Sequence, residues 1–122
     1  MILVDSSGWI EYLAGRPRAD EFAAYIQGDE PLVTSTIQVY EIYKVVRRDV
    51  GEERAIESVA ALQSTTIVPL DESLALEAAD ASLEHGLAMA DAIILATARR
   101  RRAEIVTGDA DFEGLPGVTL IR

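Results

Sequence analysis

The chain has 122 residues, 49% of them apolar, no cysteine and a formal net charge of −10 at neutral pH. Its length suits one domain over residues 1–122 with an ordinary hydrophobic core, and a mean hydropathy of +0.14 fits a globular protein better than a disordered one. Without cysteine, disulfides, thiolate nucleophiles and zinc–sulfur sites are excluded, and the acidic balance argues against general affinity for nucleic acid. No apolar run approaches the ~18 residues of a membrane span, and Asp5 interrupts the first apolar segment too early for a signal peptide. A cytoplasmic location with no membrane partner is therefore expected.

Met1-Ile2-Leu3-Val4-Asp5 reads as a continuously apolar strand, of the kind covered on both faces, ending in an acid. Ser6 and Ser7 offer caps for a helix through Trp9 to Leu13, stopped by Gly15 and Pro17. Asp5 thus stands at a strand-to-helix junction, as a simple Asx cap or as a ligand at the sheet edge where open α/β folds bind. Arg18 to Gln27 reads as a short amphipathic helix, and Leu32-Val33-Thr34 as a second strand. Thr36 is expected to cap a helix from Ile37 to about Val50, ended by Gly51. On that helix Val39, Ile42, Tyr43 and Val46 share one arc, and Glu41 falls opposite, where pairing with Lys44 is the plain reading.

Glu52 to Leu62 is a further helix, and Thr66 to Leu70 a third strand. Asp71 opens a helix to Glu84 with Gly86 as its stop, and the single histidine, His85, is placed to interact with that helix's C-terminus. In the stretch Ala88 to Ala98, Ile94, Leu95 and Ala98 share an apolar arc, and Asp91 falls inside it. Two readings stay open: a favourable acid in the first helical turn, or a charge that needs a cation. Four of the eleven basic side chains follow at once, Arg99 to Arg102. They suit the helix dipole, an RNA path lined by Arg99 and Arg102, or an acidic surface across an interface. Glu104 to Thr107 is a fourth strand, Gly108 to Phe112 follows its carboxyl end, and Val118 to Ile121 is the last strand.

Strands alternating with helices predict an α/β fold, a three-layer α/β/α sandwich around a mostly parallel sheet of four to five short strands. If the first and fourth strands are neighbours, Asp5, Asp91 and Asp109 converge on one crevice. Clustered carboxylates need a cation to stay ionised. Hard oxygen ligands select Mg²⁺ or Mn²⁺, and a metal held that way suits phosphodiester hydrolysis.

Val4-Asp5-Ser6-Ser7-Gly8-Trp9-Ile10, Glu41 in its helix, Ala90-Asp91-Ala92-Ile93 and Thr107-Gly108-Asp109-Ala110-Asp111-Phe112 resemble, in that order, the motifs of PIN-domain nucleases. Length and the D–E–D–D order most resemble the VapC toxins of toxin–antitoxin modules. The resemblance implies one acidic pocket lined by Asp5, Glu41, Asp91 and Asp109. Asp5 and Asp91 would be the principal metal ligands, with Asp109 completing the site. Glu41 would hold a second metal or orient the water, with Asp111 as a fifth acid. Ser6 and Thr107 would supply hydroxyls that orient carboxylates. The implied activity is Mg²⁺- or Mn²⁺-dependent endoribonuclease action leaving 5′-phosphate and 3′-hydroxyl ends. The implied partners are RNA, a VapB-type antitoxin and a second copy in a homodimer. Trp9, Tyr12, Phe22, Tyr40 and Tyr43 are candidates for the antitoxin groove or the dimer seam. An RNA-maturation nuclease without antitoxin and a non-catalytic acidic α/β domain are the alternatives. A receiver domain fits less well, since Asp5 stands alone after the first strand and Lys44 is the only lysine.

Overall fold

Each strand is only three or four residues long, and the central ones bury side chains on both faces. A computed structural model describes residues Met1–Arg122. β1 (Ile2–Val4) pairs in parallel with β4 (Glu104–Thr107), and β4 with β5 (Val118–Leu120). β2 (Val33–Ser35) pairs in parallel with β3 (Thr66–Val68). A parallel bridge between Ile2 and Leu32 joins the two ladders, so the order across the fold is β3-β2-β1-β4-β5. The chain builds outward from β1 to β3, then returns to the other side of β1. The switch point therefore lies between β1 and β4, as the convergence of the acids requires.

Alternation along the strands divides the core in two. Leu3 and Ile105 face one cluster with Leu74, Ala78 and Ile94, contributed by α5 (Glu72–His85) and α6 (Met89–Arg101). Ile2, Val4 and Val106 face the other cluster, with Trp9, Phe22, Ile42 and Leu62. That layer holds α1 (Ser6–Leu13), α2 (Ala19–Ile26), α3 (Thr36–Asp49) and α4 (Glu52–Gln63). The expected α/β/α sandwich is present. Trp9 and Phe22, suggested by the sequence as interface residues, are instead fully packed core, whereas Tyr40 is 60% exposed.

Helix starts differ instructively from the sequence reading. α1 begins at Ser6, and its cap is Asp5, whose Oδ1 accepts from the Gly8 amide at 3.1 Å. Ser6 and Ser7 lie inside the first turn, so their hydroxyls are free for other work. α3 is capped by Ser35 rather than Thr36, in a capping box with Gln38. Gln38 is buried and donates to the Val4 carbonyl at 2.8 Å, fixing α3 beside the end of β1. Gly8 allows α2 to close on α1: a Cβ there would lie 2.6 Å from the Phe22 ring. At the other side of the sheet, Asp71 caps α5 as expected, and Gly86 ends it in the left-handed conformation, φ +69°.

Candidate metal centre

Asp5 leaves β1 pointing along the switch-point crevice, 3% exposed. Its Oδ1 accepts from Gly8 N–H and from the Ser7 hydroxyl at 2.7 Å, and its Oδ2 from the Thr107 hydroxyl at 2.8 Å. Burial is the main cause holding its pKa above the ordinary value; the Ser7, Thr107 and Gly8 bonds oppose it, and Asp109 adds repulsion. Both cap and buried acid are therefore realised in one side chain.

The loop after β4 is folded by its own hydroxyl and carboxylate. Thr107 Oγ1 accepts from Asp109 N–H at 2.9 Å, and Asp109 Oδ1 accepts from Asp111 N–H at 2.9 Å. Gly108 N–H donates to Ser7 Oγ at 3.3 Å, linking this loop to the first turn of α1. Arg18 lies across Gly108: a Cβ there would meet Nη1 at 2.6 Å and would displace the guanidinium. Arg18 in turn donates to the Ile121 carbonyl and pairs with Glu11.

Asp91 enters from the first turn of α6, half-buried. One oxygen from each of Asp91, Asp109 and Asp111 lies within 4.8 Å of the others. Asp91 is pushed up to about 6, by burial first and then by Asp109, Asp111, Asp5 and Glu41 in that order. Four acids thus add to burial in raising the Asp91 carboxyl. Glu41, half-buried on α3, accepts from the Ser6 hydroxyl at 2.7 Å. The pairing with Lys44 expected from the helical wheel does not form; Lys44 donates to the Tyr40 hydroxyl instead. α3 packs against α1, α4, α6 and β2, so its covered arc is wider than one apolar stripe and takes in Gln38 and Glu41.

The donor set fits a hard divalent cation. It contains oxygen only, and carboxylates bound to one Mg²⁺ at about 2.1 Å stand at most about 4.2 Å apart, a small contraction from the observed spread. Asp5 stands outside the tightest group, which Asp111 occupies, but its Oδ2 carries only one of the two bonds it can accept. Asp109, Asp111 and Asp91 are brought together; Asp5 is tied to the Asp109 loop through the Thr107 hydroxyl, and Glu41 is held to the first turn of α1 by Ser6.

Arg99 and Arg102 are not brought to this centre. α6 runs from the carboxyl to the amino edge of the sheet, which puts them roughly 12 and 16 Å along the axis from Asp91. Arg99 meets His85 Nε2 at 2.9 Å, and Arg100 pairs with Asp71 and Glu77, clasping α5 to α6. Two residues of the site were missed in the sequence. Ser7 was read only as a cap, though its place two residues after Asp5 suits a bond to that carboxylate. Arg18 carried no local signal at all.

The sequence profile of the PIN domain family matches residues 2–118. The chain belongs to the PIN-domain family. This PIN domain is similar to a solved toxin–antitoxin complex from Klebsiella pneumoniae, 28% identical, with a TM-score of 0.81 over 98% of this chain and 96% of that one. It shares its fold with a Mycobacterium tuberculosis VapC toxin that cleaves the sarcin–ricin loop. That pair is 21% identical with a TM-score of 0.82, covering 97% of each chain. It also shares it with DNA-bound VapBC from Salmonella typhimurium, 18% identical, with a TM-score of 0.74 over 99% of this PIN domain and 98% of that chain. Among curated proteins, no sequence match was found.

Proposed function

We propose that this PIN domain is a Mg²⁺- or Mn²⁺-dependent endoribonuclease, the toxin of a toxin–antitoxin pair. The observation that carries the reading is the convergence of Asp91, Asp109 and Asp111, with Asp5 tied to the Asp109 amide through the Thr107 hydroxyl. When bound, the cation lowers the pKa of an attacking water and offsets charge on the scissile phosphate. Asp91 and Asp109 would hold it, with Asp5 completing the set and Asp111 beside them. Ser7, Thr107 and Gly8 fix the Asp5 carboxylate, and Ser6 aims Glu41, which orients the water or takes a second ion. No histidine is needed as a base, and His85 is engaged with Arg99 instead.

The partner is a VapB-type antitoxin, a reading supported by the toxin–antitoxin complexes among the structural neighbours. A basic side chain from it would occupy the acidic centre in place of the cation. A homodimer is proposed with it, and Leu76, Leu83 and Met89, exposed on α5 and α6, offer an apolar seam. Light scattering on the eluting protein tests this, and a monomer at micromolar concentration counts against it. No helix is long and apolar enough to cross a membrane, in keeping with action on cytoplasmic RNA.

Sequencing RNA 5′ ends after induced expression tests the activity in cells. New 5′ ends at defined positions, absent with Asp91→Asn, are expected. An identical set of ends from both forms would overturn the assignment.

A further inference from the structure

The surface of α3 just beyond Glu41 is basic and aromatic, although the chain as a whole is acidic. Tyr40, Tyr43, Lys44, Arg47 and Arg48 line an open concavity of about 610 Å³. Three of the chain's eleven basic side chains are gathered there, on one helix of a molecule whose net charge is −10. Lys44 has no carboxylate partner; its Nζ stands 3.4 Å from the Tyr40 hydroxyl and 5.5 Å from the centre of that ring. Arg47 makes one loose, exposed pair with Glu52 at 3.6 Å, which a stronger anion displaces at little cost. Arg48 is the most engaged of the three, held by Asp49 at 2.7 Å.

Register along α3 connects this face to the acidic centre. Lys44 follows Glu41 by three residues, so it lies under one turn away on an adjacent line of the helix, about 4.5 Å further along the axis. Tyr40 stands beside both. A chain leaving the acids in this direction meets a free ammonium, then Arg47, with two tyrosine rings alongside. Cations that track a phosphate backbone beside aromatic rings that take bases are the two components of single-strand recognition. An acidic peptide would use the cations but would be driven from the carboxylates next to them. A nucleic acid needs its phosphate at those carboxylates, with a cation between, and needs attraction from the flanking surface to reach them.

We infer that the α3 face formed by Tyr40, Tyr43, Lys44 and Arg47 is the subsite that holds single-stranded RNA next to the scissile bond. The inference rests on the nuclease reading above and names the part of the surface that supplies affinity. The opposite end of α6 plays no part in it, although its arginine cluster is denser.

The test measures anisotropy of a labelled twelve-nucleotide single-stranded RNA on full-length protein carrying Asp91→Asn, with Mg²⁺, at several salt concentrations. Adding Lys44→Glu and Arg47→Glu is expected to weaken binding at least about tenfold. The slope of log affinity against log salt should also fall by roughly 1.4, about 0.7 for each lost phosphate contact. Tyr40→Ala should cost about fivefold or more with the slope unchanged, since a lost stack removes no charge. Arg101→Glu with Arg102→Glu, the same charge change at the far end of α6, should leave affinity within about twofold. Equal losses from both charge reversals, or unchanged affinity and slope in the α3 variant, would overturn the subsite, the latter leaving this face to a protein partner. Cleavage of the same RNA by the unsubstituted chain with Mn²⁺ is run in parallel. No cleavage there refutes the nuclease reading, whereas cleavage with an indifferent α3 face refutes only the subsite.

Discussion

Asp91→Asn should stabilise the metal-free protein and destabilise the metal-loaded one relative to the parent. Without a cation, burial and four neighbouring acids raise the Asp91 pKa from 3.8 to about 6. Because the folded value lies above the unfolded one, the folded state binds the proton more tightly. Stability from this group is full below about pH 4, declines as pH rises through 6, and is a fixed penalty above that. At 1.36 kcal/mol per pH unit the displacement corresponds to ~3 kcal/mol; for a half-exposed carboxyl, solvent screening reduces it to about 1–2 kcal/mol. Asparagine keeps the shape and removes the charge. At pH 7.5 in EDTA, Tm should therefore rise by roughly 3–10 °C, given the entropy of unfolding of a chain this size. With Mn²⁺ at about 100 times its Kd, the parent gains ~2.7 kcal/mol by mass action, and the variant gains little. The order of the two melting temperatures should invert on adding metal. Scanning calorimetry or far-UV circular dichroism at pH 7.5 reads both. A variant that melts lower than the parent in EDTA would show that the acids do not repel one another at this point, and the electrostatic account would fail.

The same linkage gives a pH dependence for metal binding: apparent Mn²⁺ affinity, measured by calorimetric titration, should fall about tenfold per pH unit below about 6, as protons compete for Asp91. A flat profile between pH 5 and 7 contradicts it. Thr107→Val removes the hydroxyl that both donates to Asp5 and accepts from the Asp109 amide, so it should cost about 1–3 kcal/mol in urea unfolding and lower the cleavage rate as well. Gly8→Ala places a Cβ 2.6 Å from the Phe22 ring and 2.7 Å from Val4 Cγ1, and overpacking should lower stability by about 1–3 kcal/mol. An unchanged urea midpoint would refute that contact. Ser6→Ala should leave the melting temperature within a few degrees and reduce the cleavage rate, since its hydroxyl holds only the Glu41 carboxylate; full activity would remove Glu41 from the account.

Much of this was readable because short buried strands leave few choices. The unbroken apolar run before Asp5 marked a strand covered on both faces, and the strand–helix alternation required parallel pairing. The placement of Asp109 was legible for the same reason: it follows the carboxyl end of a buried strand beside β1. What failed were arguments made from a single element. The helical wheel treats α3 as having one neighbour, whereas it touches three helices and a strand, and so Glu41 came out on the wrong side. Local pattern made Ser6 and Ser7 caps, but the preceding aspartate took that bond and released both hydroxyls to Glu41 and Asp5; for Ser6 the family resemblance implied such a role, and for Ser7 nothing did. The arginine run drew attention by its density, yet the direction of α6 carries it to the opposite edge of the sheet. Arg18 reaches Gly108 across ninety positions of sequence, a contact no local pattern encodes.

The most direct measurement is cleavage of an end-labelled single-stranded RNA by purified protein as Mn²⁺ is titrated into EDTA-treated samples, with Asp91→Asn alongside. The account predicts no cleavage without metal, saturable cleavage with it leaving 5′-phosphate ends, and a loss of at least about a hundredfold in the variant. Cleavage that persists in EDTA, or a variant as active as the parent at every Mn²⁺ concentration, would contradict it.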